Sequence, residues 1–126
     1  MRALCSFSLL SLALFASHSA AADEFPNGTF TLKLDGMLWA FTFDGMGKYK
    51  YTLNGKERGV GKYKATKDEV ALTDIPPPGF NGPKELTATG TYKWKLDGRK
   101  LTFTVVKDDN KARVEIATAG PWEKKE

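Results

Sequence analysis

The stretch "GTYKWKLDGRKLTFTVV" (Gly90–Val106) decides the fold. Taken alternately, it gives Gly90, Tyr92, Trp94 and Leu96 on one side and Thr91, Lys93, Lys95 and Asp97 on the other. Alternation with period two is the signature of a strand with one buried face. Lysines at successive positions cannot be buried unpaired, so the aromatic side is the core side. Asp97-Gly98 supplies the residue types that a tight hairpin turn needs, because both turn positions adopt positive φ. A two-residue turn there sets Trp94 opposite Leu101, Tyr92 opposite Phe103 and Gly90 opposite Val105.

The same pattern extends in both directions. Asp35-Gly36 as a turn pairs Leu34 with Met37, Leu32 with Trp39 and Phe30 with Phe41, all apolar. Lys67-Asp68 pairs Tyr63 with Leu72. Asp109-Asn110 pairs Val105 with Val114 and Phe103 with Ile116. Two further hairpins need odd loops, Asp44–Met46 (pairing Phe41 with Tyr49) and Asn54–Lys56, to keep the tyrosines facing inward. Strands are therefore predicted at 28–34, 37–43, 47–53, 58–65, 69–73, 86–96, 99–107 and 111–118. One long connection, "DIPPPGFNGPKE" (Asp74–Glu85), interrupts the hairpins. The fold class is all-β: an antiparallel up-and-down meander of about eight strands. An even-numbered meander brings its first and last strands together antiparallel, and closing it into a small barrel removes both edges. A flat sandwich is the alternative. Three similar segments, "GKYKYTLNG" from Gly47, "GKYKATKDE" from Gly61 and "GTYKWKLDG" from Gly90, each start with Gly followed by an inward Tyr between outward residues. They read as a barrel's internal regularity, with Gly where a strand bends and Tyr filling the space beneath.

The chain's first segment belongs to a different function. Arg2, the apolar run "LLSLALFA" and the small residues of "SHSAAA" form a signal-peptide pattern covering 1–22, which leaves 23–126 as a single domain. The run is too short to span a bilayer, so no membrane span is expected. The protein is expected to be secreted or periplasmic, and a monomer. Cleavage removes the only Cys, Cys5, the only His, His18, and every Ser. Thiolate or imidazole metal sites, Cys or Ser nucleophiles and His acid–base chemistry leave with them. No Asp, Glu, Lys or Tyr pair stands at a recognisable catalytic spacing, so no enzyme activity and no cofactor are expected. Without Arg2 the net charge of +4 falls to roughly +3, modest for a nucleic-acid binder, and no nucleic-acid partner is expected.

At this level the chain resembles the lipocalin-like, or calycin-like, barrels, and more closely small exported bacterial domains of that shape. The residues that carry the resemblance are the Gly90–Phe103 hairpin, the acidic turn followed by an Arg at Asp108–Arg113, and Trp122 near the C-terminus. In lipocalins a Gly-x-Trp on the first strand sits under a late Arg; here the matching stretch is Gly28-Thr29-Phe30. The resemblance implies Arg113 covering Phe30 by a cation–π contact, whereas strict alternation along 111–118 puts Arg113 on the outer face. Similar domains often have a Cys pair near the long loop and the last hairpin, and this chain has none. Ligand binding is the role the resemblance implies.

The expected inward rings are Phe30, Trp39, Phe41, Tyr49, Tyr51, Tyr63, Tyr92, Trp94 and Phe103. They either line a pocket or fill the barrel. The turns at 35–36, 54–56 and 109–110 and the loop 74–85 share one end. The smaller inward residues Leu34, Met37, Leu53, Leu72, Val105 and Val114 lie toward it, so the expected site is a shallow apolar mouth there, lidded by "PPPGF" with Phe80. It would take a small apolar or amphipathic ligand. The alternative is a protein-interaction or inhibitor-type envelope module. That module would use Lys48, Lys50, Lys62, Lys64, Lys93 and Lys95 on the outer face, together with the Pro-rich loop, to meet an envelope protein or anionic glycan. The plainer reading of those lysines is a solvated face. Asp35, Asp74, Asp108 and Asp109 rim the mouth, and turn chemistry accounts for them without a metal.

Overall fold

Eight antiparallel strands follow one another around a closed barrel in chain order. The computed structural model describes residues 24–126, so the predicted signal peptide at 1–22 lies outside the described residues. The strands are β1 (Gly28–Leu34), β2 (Met37–Phe43), β3 (Lys48–Leu53), β4 (Lys56–Ala65), β5 (Glu69–Ile75), β6 (Gly90–Asp97), β7 (Lys100–Lys107) and β8 (Trp122–Lys124). A 3-10 turn at Lys84–Thr87 sits in the long β5–β6 connection, and one helix, α1 (Lys111–Ala117), stands between β7 and β8.

Hairpin chemistry sets the register. At Asp35-Gly36 both turn residues have positive φ, and Leu34 meets Met37, Leu32 meets Trp39 and Phe30 meets Phe41, as predicted. Tyr63 meets Leu72 as predicted. Three turns differ. The β6–β7 turn closes on Asp97 opposite Lys100, so Trp94 faces Phe103 and Tyr92 faces Val105. The β2–β3 hairpin is centred one residue later than read, with the Asp44 amide bonding to Lys48 O, so Phe43 faces Tyr49 and Phe41 faces Tyr51. Both are slips of two positions, which preserve every residue's face. At β3–β4 the loop is the even two-residue Asn54-Gly55 turn, and a bulge opposite Tyr51 and Thr52 supplies the odd residue instead.

The predicted strand 111–118 is the main correction: these residues form α1. Asn110 caps it, its side-chain oxygen accepting from the Arg113 amide at 3.2 Å. The barrel is closed instead by β8, whose Trp122 pairs with Leu101 on β7 while Glu123 and Lys124 pair with Thr31 and Phe30 on β1. The predicted pairs Val105–Val114 and Phe103–Ile116 do not form. Val114 and Ile116 pack on the core from the helix.

Fully buried rings and aliphatics fill the middle of the barrel: Phe30, Phe43, Val70, Leu72, Tyr92, Leu101 and Trp122, with Phe41, Tyr49 and Phe103 beside them. Trp122 packs on Phe41 with ring centres 4.9 Å apart and donates its indole N–H to Ala117 O, which pins the helix end to the core. Of the predicted core rings, Trp39, Tyr51, Tyr63 and Trp94 are half-buried. Trp94 donates Nε1–H to Thr66 O at 3.0 Å. Phe25, just before β1, plugs the end of the barrel where β2 turns into β3. Its ring stands edge-on to Phe43 and to Trp94, with centres 5.0 and 5.2 Å away. The cation nearest Phe30 is Lys124, with Nζ 6.0 Å from the ring centre, and not Arg113.

Candidate functional site: a cleft over a buried arginine

Two glycines of β4 make the site possible. Gly61 lies opposite Tyr49 on β3 and opposite Asp74 on β5. Having no side chain, it lets the Tyr49 ring cross its strand, and the phenol donates to Asp74 Oδ1. A Cβ at Gly61 would run into that ring and into Thr73 O. Gly59 does the same for Tyr51, whose Cζ would lie 2.6 Å from an added Cβ. Within the Gly-and-Tyr repeat seen in the sequence, Gly61 of the second segment is thus the bed for Tyr49 of the first.

Asp74 points to the barrel side of β5, the side of Leu72, and meets Arg113 from α1. The guanidinium is almost wholly enclosed, its side chain 6% exposed. It binds Asp108 with two hydrogen bonds, Nε to Oδ2 at 2.7 Å and Nη2 to Oδ1 at 2.8 Å, and Nη2 also donates to Ala88 O at 2.6 Å. Asp108 is itself fully enclosed and also accepts from the Tyr92 phenol and from the Asn110 amide at 2.9 Å. Gly90 permits this, because a Cβ there would collide with the Asp108 carboxylate. The remaining guanidinium nitrogen, Nη1, stands 3.5 Å from Asp74 Oδ1 and is the one buried side-chain polar atom without a hydrogen-bond partner among the described residues.

These groups tune one another. Burial pushes the Asp108 carboxyl up, but hydrogen bonds from Arg113, Tyr92 and the Asn110 amide outweigh it and hold the group below its ordinary range. Burial and the neighbouring carboxylates raise both the Tyr49 and the Tyr92 phenols, which stay protonated donors. For Arg113, burial opposes the charge, yet Asp108 and Asp74 more than restore it.

Above this network a cleft of ≈ 360 Å³ opens at the barrel end that carries the β3–β4 turn and the β5–β6 loop. Trp39, Tyr51, Phe80 and Ile116 are among its apolar walls, Asp74 and Arg113 belong to its lining, and Arg58 adds a second, exposed guanidinium. The loop carries Phe80 on a tight turn, the Phe80 amide bonding to Pro77 O at 3.1 Å, and the ring rests where Gly82 leaves room.

Of the seven residues expected at the mouth, only Phe80 lines this cleft. Leu72 is wholly buried, Leu34, Leu53 and Val114 are half-buried, and Met37 and Val105 are largely exposed. The walls are the rings of Trp39, Phe41, Tyr51 and Phe80 with a different set of aliphatics, Val60, Ile75, Leu86 and Ile116. Strands tilt in a barrel, so position along a strand does not measure height along the barrel axis. All six lysines of the basic set are exposed, and Lys48 stands opposite Lys62. Arg113 was expected outside by alternation. The helix turns it inward, and its partnership with Asp74 needed long-range pairing that no local pattern carries. Asp74 and Asp108, expected at the rim, are taken up by Arg113, while Asp35 is exposed in its turn. Among the described residues no three His, Cys, Asp or Glu side chains gather as a metal site, and no helix is long and apolar enough to cross a membrane. Compared with known proteins, the chain matches no family model, no curated protein and no solved structure at a significant level.

Proposed function

We propose that this protein is an exported, non-enzymatic binding barrel of lipocalin-like type, holding one small apolar or amphipathic molecule in the cleft beside Phe80. The observation that carries the reading is the cleft itself: ≈ 360 Å³, walled by Trp39, Tyr51 and Phe80 and floored by a polar network. Small-molecule sites are concave and mostly apolar, with a few placed polar groups, and start at about 300 Å³. The rest of the barrel is filled by its own side chains, so the space is localised. The leader-like first segment supports export.

A second reading uses the outside of the barrel. Lys48 opposite Lys62 is a like-charge pair that disfavours its own sheet, which an anionic envelope partner would relieve. Native mass spectrometry of the protein purified from its own host separates the two. The binding reading expects a non-covalent small-molecule adduct that Phe80→Asp abolishes. Bare protein, or a protein partner in place of a small molecule, contradicts it.

A further inference from the structure

We infer that the molecule held in the cleft carries a neutral polar head, one that both accepts and donates hydrogen bonds, and that the cleft discriminates against carboxylate heads. This rests on the binding reading above and names the ligand's chemistry. The floor presents an acid and a base side by side. Arg113 Nη1 is a buried cationic donor that makes no hydrogen bond, its charged neighbour Asp74 standing 3.5 Å away, and a buried donor left without a hydrogen bond is costly and rare in folded proteins. A ligand oxygen that accepts from it removes that cost. The charge of Arg113 is already met twice over: Asp108 takes two of its nitrogens, and Asp74 lies 3.5 Å from the third. Counted together, Arg113, Asp108 and Asp74 carry one excess negative charge. An anionic head at Nη1 would lie beside Asp74 in an enclosed setting, where like charges repel strongly. A neutral amide or hydroxyl meets no such repulsion. Its oxygen accepts from Arg113 and its N–H or O–H donates to Asp74. Arg58, the one other cation of the cleft, is exposed and therefore screened by solvent. The flat rings of Trp39, Tyr51 and Phe80 favour an aromatic body behind the head.

The test uses two probes with one body, 2-naphthamide and 2-naphthoate, titrated into the ¹⁵N-labelled exported protein at pH 7. Binding is followed at the Trp39 indole. The account expects 2-naphthamide to bind at least about tenfold more tightly than 2-naphthoate, the scale of one like-charge contact at reduced dielectric. Asp74→Asn should bring the two within about threefold, because it removes the repelling charge while its amide oxygen still accepts from Tyr49. Three results overturn the inference while leaving a binding cleft: equal affinities, a preference for naphthoate that Arg58→Gln abolishes, or discrimination unchanged in Asp74→Asn. Failure of both probes to move Trp39 overturns the binding reading itself, and the inference with it.

Discussion

Asp108 is the residue on which the interior polar network turns. It is fully enclosed and accepts from Arg113, Tyr92 and the Asn110 amide. Asp108→Ala leaves the Arg113 charge buried with only Asp74 near it. Breaking a buried pair from one side costs about 3–5 kcal/mol, a large share of the ~5–15 kcal/mol that a domain of this size has. Urea denaturation should show that loss. The pH profile gives a second readout. Asp108 titrates below 3.8 when folded, so its contribution is complete above 3.8 and is lost as pH falls through the lower, folded value. The phenols of Tyr49 and Tyr92 act in the opposite sense. Their folded values lie above 10.0, so their contribution is complete below 10.0 and is lost as pH rises beyond it. The native protein should therefore lose stability at both limits, and Asp108→Asn should flatten the acid limb alone. An acid limb unchanged by that substitution would contradict the role given to Asp108.

Among the elements, the hairpins were legible and the helix was not. Asp35-Gly36 states its turn type locally, and the alternation around it fixes the faces, so β1 and β2 emerge with the predicted bounds and pairs. Slips at β2–β3 and β6–β7 arose because the position of a turn along the chain is read less securely than face, and a slip of two keeps the face. α1 was misread for a physical reason. Seven residues make only two turns, and Val114 and Ile116 fit period two, whereas the helical i, i+4 pair that is buried, Arg113 and Ala117, includes a charged residue. The signal that pointed to a helix was Asn110 as cap before a run containing Lys, Ala, Arg and Glu, all good helix formers. β8 has three residues, too few for any periodicity. The expected mouth and the cleft lie at the same end of the barrel, and Phe80 is among the lining residues. Arg113 and Asp74 were not legible as a pair, since only the closed barrel brings them together. The helix reading makes its own prediction: Asn110→Ala should cost about 0.5–2 kcal/mol by loss of the cap. Lys111→Ala, exposed one position later, should change stability by under about 0.5 kcal/mol in the same denaturation series.

At the scale of the whole molecule, one end is stopped and the other is open. Phe25, Phe43, Tyr63 and Trp94 interlock edge to face at the stopped end. The depression there, ≈ 420 Å³ and lined by Glu24, Asn27 and Lys67 among others, lies over the plug. At the open end, Pro77 and Phe80 line a cleft that also takes in rings, aliphatic side chains and the charged Asp74 and Arg113. A barrel without disulfides, held by an aromatic core and a buried ion network, thus carries a mostly apolar opening at the end where Phe80 lies. The most direct test of that claim is fluorescence titration with N-phenyl-1-naphthylamine, a neutral aromatic reporter that brightens in apolar surroundings. The account predicts saturable binding of one reporter per chain. Phe80→Asp should abolish it, while Met46→Asp, on a side chain 83% exposed in the β2–β3 loop at the stopped end, should leave it unchanged. No saturable binding, or binding that survives Phe80→Asp and fails in Met46→Asp, would contradict the account.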